Sequence, residues 1–209
     1  QPIAVDERGA RGYAPLRLHA GLIELGLDTE RVGRDVIIFE AVDSTNDVAF
    51  DAARAPGADG LVVLAEAQRA GRGRLGAAWA SSPGANVLMT AVLDDDTPGQ
   101  EAVTIAAGVA VAEGVERAGG PRCELKWPND VLHDGRKLAG ILVEVRRRGR
   151  RRTVVVGVGL NVNERPPDAG LHRPATSVRE AIGRPVERTG VVRAVLRRLD
   201  AWVTEWGSG

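Results

Sequence analysis

A stretch of alternating glycine and arginine is the first part of the chain whose residue types suggest chemistry. Residues 71–76 read Gly-Arg-Gly-Arg-Leu-Gly, and Trp79 follows three residues later. The spacing matches the dinucleotide-binding pattern G-x-G-x-x-G, which needs a strand before it and a helix after it. A strand is predicted at residues 61–65, but the Ser-Ser-Pro-Gly sequence of residues 81–84 cannot continue a helix. We therefore interpret this glycine–arginine loop as a mobile backbone that places two guanidinium groups on an anion.

Lysine is used in only one part of the chain. Of the 28 lysine and arginine residues, only Lys126 and Lys137 are lysine. An ammonium is a compact point charge and a guanidinium is a planar fork, so the two are not interchangeable at a site. Between these lysines, Pro128-Asn129-Asp130 is typical of a turn, because proline restricts φ and the Asn and Asp side chains bond to nearby backbone. The pattern favours a second functional segment here.

Composition excludes several classes of protein. The 209 residues predict one main domain, and the formal net charge of zero provides no general attraction for nucleic acid. The single cysteine, Cys123, rules out an internal disulfide, and the three histidines lack metal-ligand spacing. No apolar run approaches the roughly 18 residues of a membrane span. We expect a cytoplasmic domain without a membrane partner.

Hydrophobic patterning predicts strands alternating with helices. Strands are expected at residues 36–39, 61–65, 86–93, 137–145 and 153–160, and helices at 48–54, 100–118, 176–183 and 189–206. Residues 1–35 are expected to be a short lead with one helix at 16–25, too little for a three-helix DNA-binding module. The fold class is therefore α/β or α+β, with a mixed sheet in one domain that spans residues 36–209.

Two polar segments allow both a structural and a functional interpretation. Ser44 or Thr45 could cap a helix by accepting an early backbone N–H, or could bind a ligand at a strand-to-helix junction. The arginine-rich run at residues 146–152 is interpreted as the charged tip of a hairpin, with binding to nucleic acid as the alternative. The glycines at 157 and 159 would let a ligand or another backbone approach the end of their strand closely.

Taken together in order, these motifs resemble those of the biotin–protein ligases of the biotin/lipoate ligase superfamily. The matching segments are Asp43-Ser44-Thr45-Asn46, Gln68, the glycine–arginine loop with Trp79, Lys126-Trp127-Pro128-Asn129-Asp130, residues 136–142 and residues 157–163. The resemblance covers residues 36–206. It implies the class II synthetase-like fold of these ligases, a mostly antiparallel mixed sheet flanked by helices.

The resemblance also implies a two-step reaction. The carboxylate of biotin attacks the α-phosphate of ATP to form biotinyl-5′-AMP, and a lysine of a biotin carboxyl carrier domain then takes the biotinyl group. Both nucleophiles belong to substrates, so the enzyme must position them and stabilise charge. ATP, Mg²⁺ accompanying ATP, biotin and the carrier protein are the implied partners. The carrier's identity and the oligomeric state stay open, with a homodimer as one option, and DNA is not expected.

Site residues carried over by the resemblance fall into three overlapping groups. Catalytic roles go to Lys137, Arg74, Asp130 and Asn129. Biotin contacts go to Ser44, Thr45, Asn46, Gln68, Gly71, Arg72, Gly73, Arg74, Lys137, Gly140, Leu142 and Gly157. Contacts to ATP or the adenylate go to Arg72, Arg74, Trp79, Asn129, Lys137 and Asn161. Trp79 could instead belong to the core, since a tryptophan beside a glycine turn often does.

Some features depart from the family pattern and keep alternatives open. Ala77 stands where many members have another basic residue, and we expect this chain to lack both a helix-turn-helix domain and the family's small C-terminal β domain. The alternatives are a lipoate–protein ligase and a non-catalytic module that binds biotin or biotinyl-AMP. The glycine–arginine loop together with residues 126–130 favours biotin.

Overall fold

The structure is a computed structural model that describes residues 3–5, 11–13, 17–94, 99–149, 151–166 and 173–206. Its strands are β1 (Ile3–Val5), β2 (Arg11–Tyr13), β3 (Val36–Phe39), β4 (Val62–Ala65), β5 (Val87–Leu93), β6 (Glu124–Lys126), β7 (Asp130–His133), β8 (Arg136–Arg148) and β9 (Arg151–Leu160). Its helices are α1 (Ala20–Glu24), α2 (Thr45–Ala52), α3 (Gln100–Arg117), α4 (Val178–Ile182) and α5 (Arg188–Trp206). Residues 1–2, 6–10 and 14–16 of the predicted lead, Arg150 of the arginine-rich run and residues 207–209 lie outside these ranges.

Seven strands form the central sheet, in the order β3-β4-β5-β9-β8-β7-β6. Only the pair β3–β4 is parallel, so the expected mixed and mostly antiparallel sheet is confirmed. The short strands β1 and β2 pair separately. Strands β6 and β7 were not predicted, because three or four residues beside a Pro-Asn-Asp turn carry no readable alternation.

The long hairpin β8–β9 confirms the structural interpretation of the arginine-rich run. Pairing continues outward to Arg148 and Arg151, so both strands extend beyond the predicted ends. Among the described residues of the run, Arg146 lies over the ring of Phe50, with 3.9 Å from its guanidinium carbon to the ring centroid. Such stacking buries apolar surface and places a cation on the ring face.

One face of the sheet carries most of the core. Helices α1, α3 and α5 pack there against alternate residues of the central strands, including Met89, Ile141 and Val158. Helices α3 and α5 approach closely because Gly114 has no side chain: a Cβ there would lie 2.6 Å from the Cα of Val195. Small residues on α3 thus allow the two helices to pack tightly.

A buried carboxylate joins α5 to the segment before β3. Asp200 accepts backbone N–H groups from Glu30, Arg31 and Val32 at 2.8, 2.8 and 2.7 Å. Asp200 is 6% exposed, so these bonds satisfy an otherwise costly buried charge. This connection holds the incoming chain against the core before it enters the sheet.

The opposite face of the sheet is only partly covered by a helix. Helix α2 packs there through Ala49 and Phe50 against Val63, Val92 and Val155. Beyond the start of α2, Trp79, which follows the glycine–arginine loop, packs over Gly140 of β8 and Gly159 of β9. No helix among the described residues has the length and apolarity that crossing a membrane would require.

Candidate active site

Three glycines form a floor on the partly covered face of the sheet. Gly140 of β8 lies opposite Gly159 of β9, and Gly157 lies opposite Leu142. Because side chains two residues apart point to the same face of a strand, Gly157 and Gly159 leave two neighbouring positions without side chains. This floor lets atoms from other elements reach the sheet backbone.

Trp79 lies on one end of the glycine floor. A Cβ on Gly159 would lie 2.3 Å from Trp79 Cε2, and one on Gly140 would lie 3.0 Å from Trp79 Cζ3. The indole Nε1 is buried and has no hydrogen-bond partner among the described residues. The structure therefore combines both interpretations of Trp79, since the ring is packed against the sheet and still borders the site.

A buried polar cluster lies at the other end of the floor. The amide nitrogen and the hydroxyl of Thr45 both donate to Gln68 Oε1, at 2.8 and 3.0 Å. The hydroxyl of Thr90 lies 2.7 Å from Asn46 Oδ1 and 2.8 Å from Thr45 Oγ1. The Asn46 side chain fills the space above Gly157, where a Cβ would approach Oδ1 to 2.4 Å.

Ser44 differs from the expected capping role. It occupies the N-cap position of α2, which begins at Thr45 and not at residue 48, but its side chain makes no capping hydrogen bond. Ser44 is nevertheless buried beside the polar cluster. The expected bond is absent, and the prediction that Ser44 contacts a ligand stays a prediction.

Lys137 and Asp130 form an ion pair beside Trp79. Lys137 Nζ lies 2.7 Å from Asp130 Oδ1 and 5.7 Å from the centroid of the Trp79 ring. The turn between β7 and β8 produces this arrangement, because Asp134 and Gly135 both have positive φ, at 47° and 69°. Consecutive left-handed residues make a tight hairpin, which brings the two strands back alongside each other.

Asn129 connects the turn before β7 to the glycine–arginine loop. Its side-chain nitrogen donates to the carbonyl of Ile141 at 3.1 Å. Its Oδ1 lies 3.4 Å from a guanidinium nitrogen of Arg74, which places that cation at the same end of the site as Lys137. Arg74 is exposed, so its guanidinium is free to reach an anion bound between the loop and the sheet.

Arg72 extends away from Arg74 and towards helix α2. It forms a two-pronged ion pair with Asp47, with N–O distances of 2.7 and 3.0 Å, and lies 3.6 Å from Glu144 Oε2. Hydrogen bonds and charge from Arg72, with a smaller contribution from Arg146, hold the pKa of Asp47 below its ordinary value, while burial opposes them. The same pair raises the pKa of Arg72.

The loop, β8 and the first turns of α3 line a cleft of about 390 Å³. Its lining residues are Arg72, Gly73, Arg74, Leu75, Gly76, Gln100, Thr104, Ile141, Leu142, Val143 and Glu144. Gly71 allows the base of the loop to close, because a Cβ there would lie 2.6 Å from the carbonyl oxygen of Trp79. A 3₁₀ turn at Arg74–Gly76 stands where a dinucleotide-binding fold would need a helix. The dinucleotide-binding interpretation of the loop is therefore excluded.

Asn161 stands apart from the other predicted site residues. It is 1% exposed, and its side-chain nitrogen donates to the carbonyl of Thr176 at 3.0 Å. Its Oδ1 has no partner among the described residues. This position gives Asn161 a structural role between β9 and the segment before α4, and its contact with a nucleotide stays a prediction.

Sequence reasoning missed three residues that complete the site. Thr90 is the one hydroxyl in the apolar strand β5, and Glu144 accepts from Asn46 Nδ2 at 2.7 Å. Asp47 binds Arg72 from the first turn of α2. A polar residue inside an apolar strand was a readable signal for Thr90, whereas the roles of Glu144 and Asp47 depend on tertiary contacts.

Comparison with known proteins identifies the family. The model of the biotin/lipoate A/B protein ligase family matches residues 38–161, more than half of the chain. The chain belongs to the biotin/lipoate A/B protein ligase family. This assignment confirms the resemblance recognised from the motifs.

Relatives agree with this placement. The chain is 38% identical to the bifunctional ligase/repressor BirA of Bacillus subtilis over 199 residues, which are 92% of this chain and 61% of that protein. It is 36% identical to the biotin–[acetyl-CoA-carboxylase] ligase of Mycobacterium tuberculosis over 202 residues, 91% of this chain and 74% of the relative. The chain thus spans about three fifths of the length of the Bacillus protein.

Solved structures share the fold of this ligase family member. The biotin protein ligase of Aquifex aeolicus in complex with biotin and ATP superimposes with a TM-score of 0.73 at 27% identity, covering 84% of this chain and 72% of that one. The ligase of Leishmania major with biotinyl-5-AMP gives a TM-score of 0.66 at 25% identity, covering 83% and 76%. The expected fold of the ligase catalytic domain is confirmed.

Proposed function

We propose that this chain is a biotin–protein ligase that activates biotin with ATP and transfers it to a lysine of an acceptor protein. In the first step the biotin carboxylate oxygen attacks the α-phosphorus of ATP, forming biotinyl-5′-AMP and releasing pyrophosphate. In the second step the acceptor amine attacks the biotinyl carbonyl, forming an amide, losing a proton and releasing AMP. The observation that supports this best is the glycine floor, with a cationic cluster at one end and a buried polar cluster at the other.

The cationic end suits the reacting groups. Lys137 and Arg74 would stabilise the negative charge that develops between the carboxylate and the α-phosphate. Asp130 holds the Lys137 ammonium at 2.7 Å. In the proposed reaction Asp130 would also accept a proton from the incoming amine. Asn129 would position Arg74, and the exposed part of Trp79 offers a flat surface for adenine.

The polar end suits the head group of biotin. A ureido ring offers two N–H donors and one carbonyl acceptor, which match the hydroxyls and amides of Thr45, Asn46, Gln68 and Thr90. The dithiolane ring of lipoate has no N–H or carbonyl group and could form no such hydrogen bonds with these side chains, so this end of the site would favour it less. This difference supports biotin over lipoate as the substrate.

The proposed reaction also needs a metal ion for ATP and an acceptor protein for biotin. Mg²⁺ prefers phosphate oxygens together with one or two carboxylates, so it would enter with ATP. The described residues contain no group of three or more metal-ligating acidic, histidine or cysteine side chains. A biotin carboxyl carrier protein is the acceptor we propose, by analogy with relatives named as acetyl-CoA-carboxylase ligases.

ATP–pyrophosphate exchange tests the first step directly. We expect exchange that depends on biotin and is absent with lipoate. Exchange with lipoate alone would identify a lipoate ligase, and biotin binding without exchange would identify a binding module. Either result would contradict the proposed function.

Replacing Lys137 tests the catalytic assignment. Lys137→Ala should lower the exchange rate about 100-fold or more, because a charge-stabilising donor at a reacting centre contributes on the order of 10²–10³. Arg148→Ala is the control, since this residue is an exposed cation at the outer end of the same strand. Wild-type exchange in the Lys137 variant, or equal losses in both, would show that the role is wrongly assigned.

A further inference from the structure

The contacts of Asp47 suggest a function beyond those assigned above. Asp47 lies in the first turn of α2, where a negative charge interacts favourably with the helix dipole. Its two carboxylate oxygens bind Arg72 at 2.7 and 3.0 Å, and one of them also lies 3.1 Å from Arg146. One side chain on a firmly packed helix therefore holds cations from two different segments.

Among the described residues, the glycine–arginine loop has few other polar attachments to the rest of the domain. Its hydrogen bonds from Trp79, Gly73 and Ala77 all remain within residues 71–79. At its tip, Leu75 is fully exposed with a φ of 55°. Outward attachments of its side chains are the contacts of Arg72, the 3.4 Å approach of Arg74 to Asn129 and the packing of Trp79. The Arg72–Asp47 pair has the shortest polar distances among them.

The Arg72 contact also reaches the buried polar cluster. Glu144 accepts from Asn46 at 2.7 Å and lies 3.6 Å from Arg72. Arg72 is thus connected through Glu144 to Asn46, one of the residues proposed to hold the ureido ring. Losing the pair would both release the loop and leave Glu144 without its nearest described cation.

We propose that Asp47 is a positioning residue that holds Arg72, and with it the glycine–arginine loop, over the substrate cleft before biotin arrives. This proposal rests on the proposed function for its link to biotin. A loop that is ordered in advance lowers the cost of binding, because the apparent dissociation constant increases as the competent fraction decreases. Asp47 would therefore act on biotin affinity and not on the chemical step.

A role for Asp47 as a competitor of the ligand predicts a different change in the KM for biotin. If Asp47 competed with a ligand anion for Arg72, its removal would free the guanidinium and lower the KM for biotin. Positioning predicts a higher KM. The sign of the change separates the two.

Three variants test the positioning role. Asp47→Asn removes the charge and Asp47→Glu restores it. Asp51→Asn is the control, because Asp51 lies one turn further along α2 in an exposed ion pair with Arg54. In biotin-dependent exchange at saturating ATP, we expect Asp47→Asn to raise the KM for biotin about five- to tenfold and to change kcat less than twofold. That change corresponds to roughly 1–1.4 kcal/mol, which suits a half-exposed two-pronged pair.

Limited trypsin digestion of the ligand-free protein provides a readout that does not depend on biotin chemistry. Cleavage after Arg72 should be several-fold faster in Asp47→Asn than in the wild type, Asp51→Asn or Asp47→Glu. If the wild type showed no exchange with biotin, the proposed function would fail while digestion still tested the loop. An unchanged cleavage rate, or an unchanged or lowered KM for biotin, would overturn the positioning role.

Discussion

Replacing Gly159 by alanine should force Trp79 off the glycine floor. The new Cβ would lie 2.3, 2.5 and 2.7 Å from three atoms of the indole ring. Carbon atoms in contact prefer about 3.5–4.0 Å, so the ring would have to retreat by roughly 1 Å or more. Gly140 supports the same ring from the neighbouring strand, which limits the directions in which it can move.

The expected cost follows from two opposing contributions. Overpacking of a well-packed position costs about 1–3 kcal/mol. Alanine in a strand recovers roughly 0.5–1 kcal/mol relative to glycine, because the unfolded chain loses freedom. We expect Gly159→Ala to lower the free energy of unfolding by about 1–2 kcal/mol in urea denaturation.

A double-mutant cycle isolates the clash. In a Trp79→Ala background the new methyl group meets no ring, so Gly159→Ala should be neutral or stabilising by up to about 1 kcal/mol. The wild-type and Trp79→Ala backgrounds should therefore give effects of opposite sign or clearly different size. Equal costs in both backgrounds, within about 0.5 kcal/mol, would refute the idea that Trp79 occupies the floor.

The remaining predictions concern the loop, the fold and acid sensitivity. Arg74→Gly should release biotinyl-AMP faster, because the loop loses the cation beside Asn129; an unchanged dissociation rate in a stopped-flow chase would contradict this. Asp200→Ala should destabilise the protein by about 2–4 kcal/mol in urea, since three amide donors lose their acceptor, while Ala at the exposed Asp35 should cost less than about 0.5 kcal/mol. Arg72 and, to a smaller extent, Arg146 lower the pKa of Asp47 from 3.8, and Glu144 is the other carboxylate close to Arg72. The contribution of the Asp47 charge to the free energy of unfolding is therefore fully present above pH 3.8. The difference in unfolding free energy between wild type and Asp47→Asn should thus be constant from pH 7 to about 5 and should shrink as the pH falls below 3.8.

Hydrophobic patterning predicted most of the regular structure. The five strands expected from apolar runs all occur, and α3 and α5 begin and end within about two residues of the expected positions. Strands β6 and β7 were missed because they are too short to show a period, and pairing with the longer β8 stabilises them. Segment length thus limited what the pattern could reveal.

The site was predicted unevenly. Residue types and order pointed to Lys137, Asp130, Asn129 and Arg74, and the structure brings all four to one end of the floor. The separate directions of the two loop arginines were not predicted, because nothing in the loop's own sequence distinguishes Arg72 from Arg74. Their partners are Asp47 on α2 and Asn129 before β7, which are 25 and 55 residues distant in the chain.

The sequence by itself determined the family, the order of the motifs and the chemical groups available, because these depend on residue identity and local spacing. The tertiary structure alone decided that Gly140, Gly157 and Gly159 form one floor, since strand register and side-chain direction arise from long-range pairing. It also decided which charges neutralise each other. The opening Gly-Arg-Gly-Arg segment carries two cations in its sequence, but only folding directs one to Asp47 on α2 and the other to Asn129 before β7.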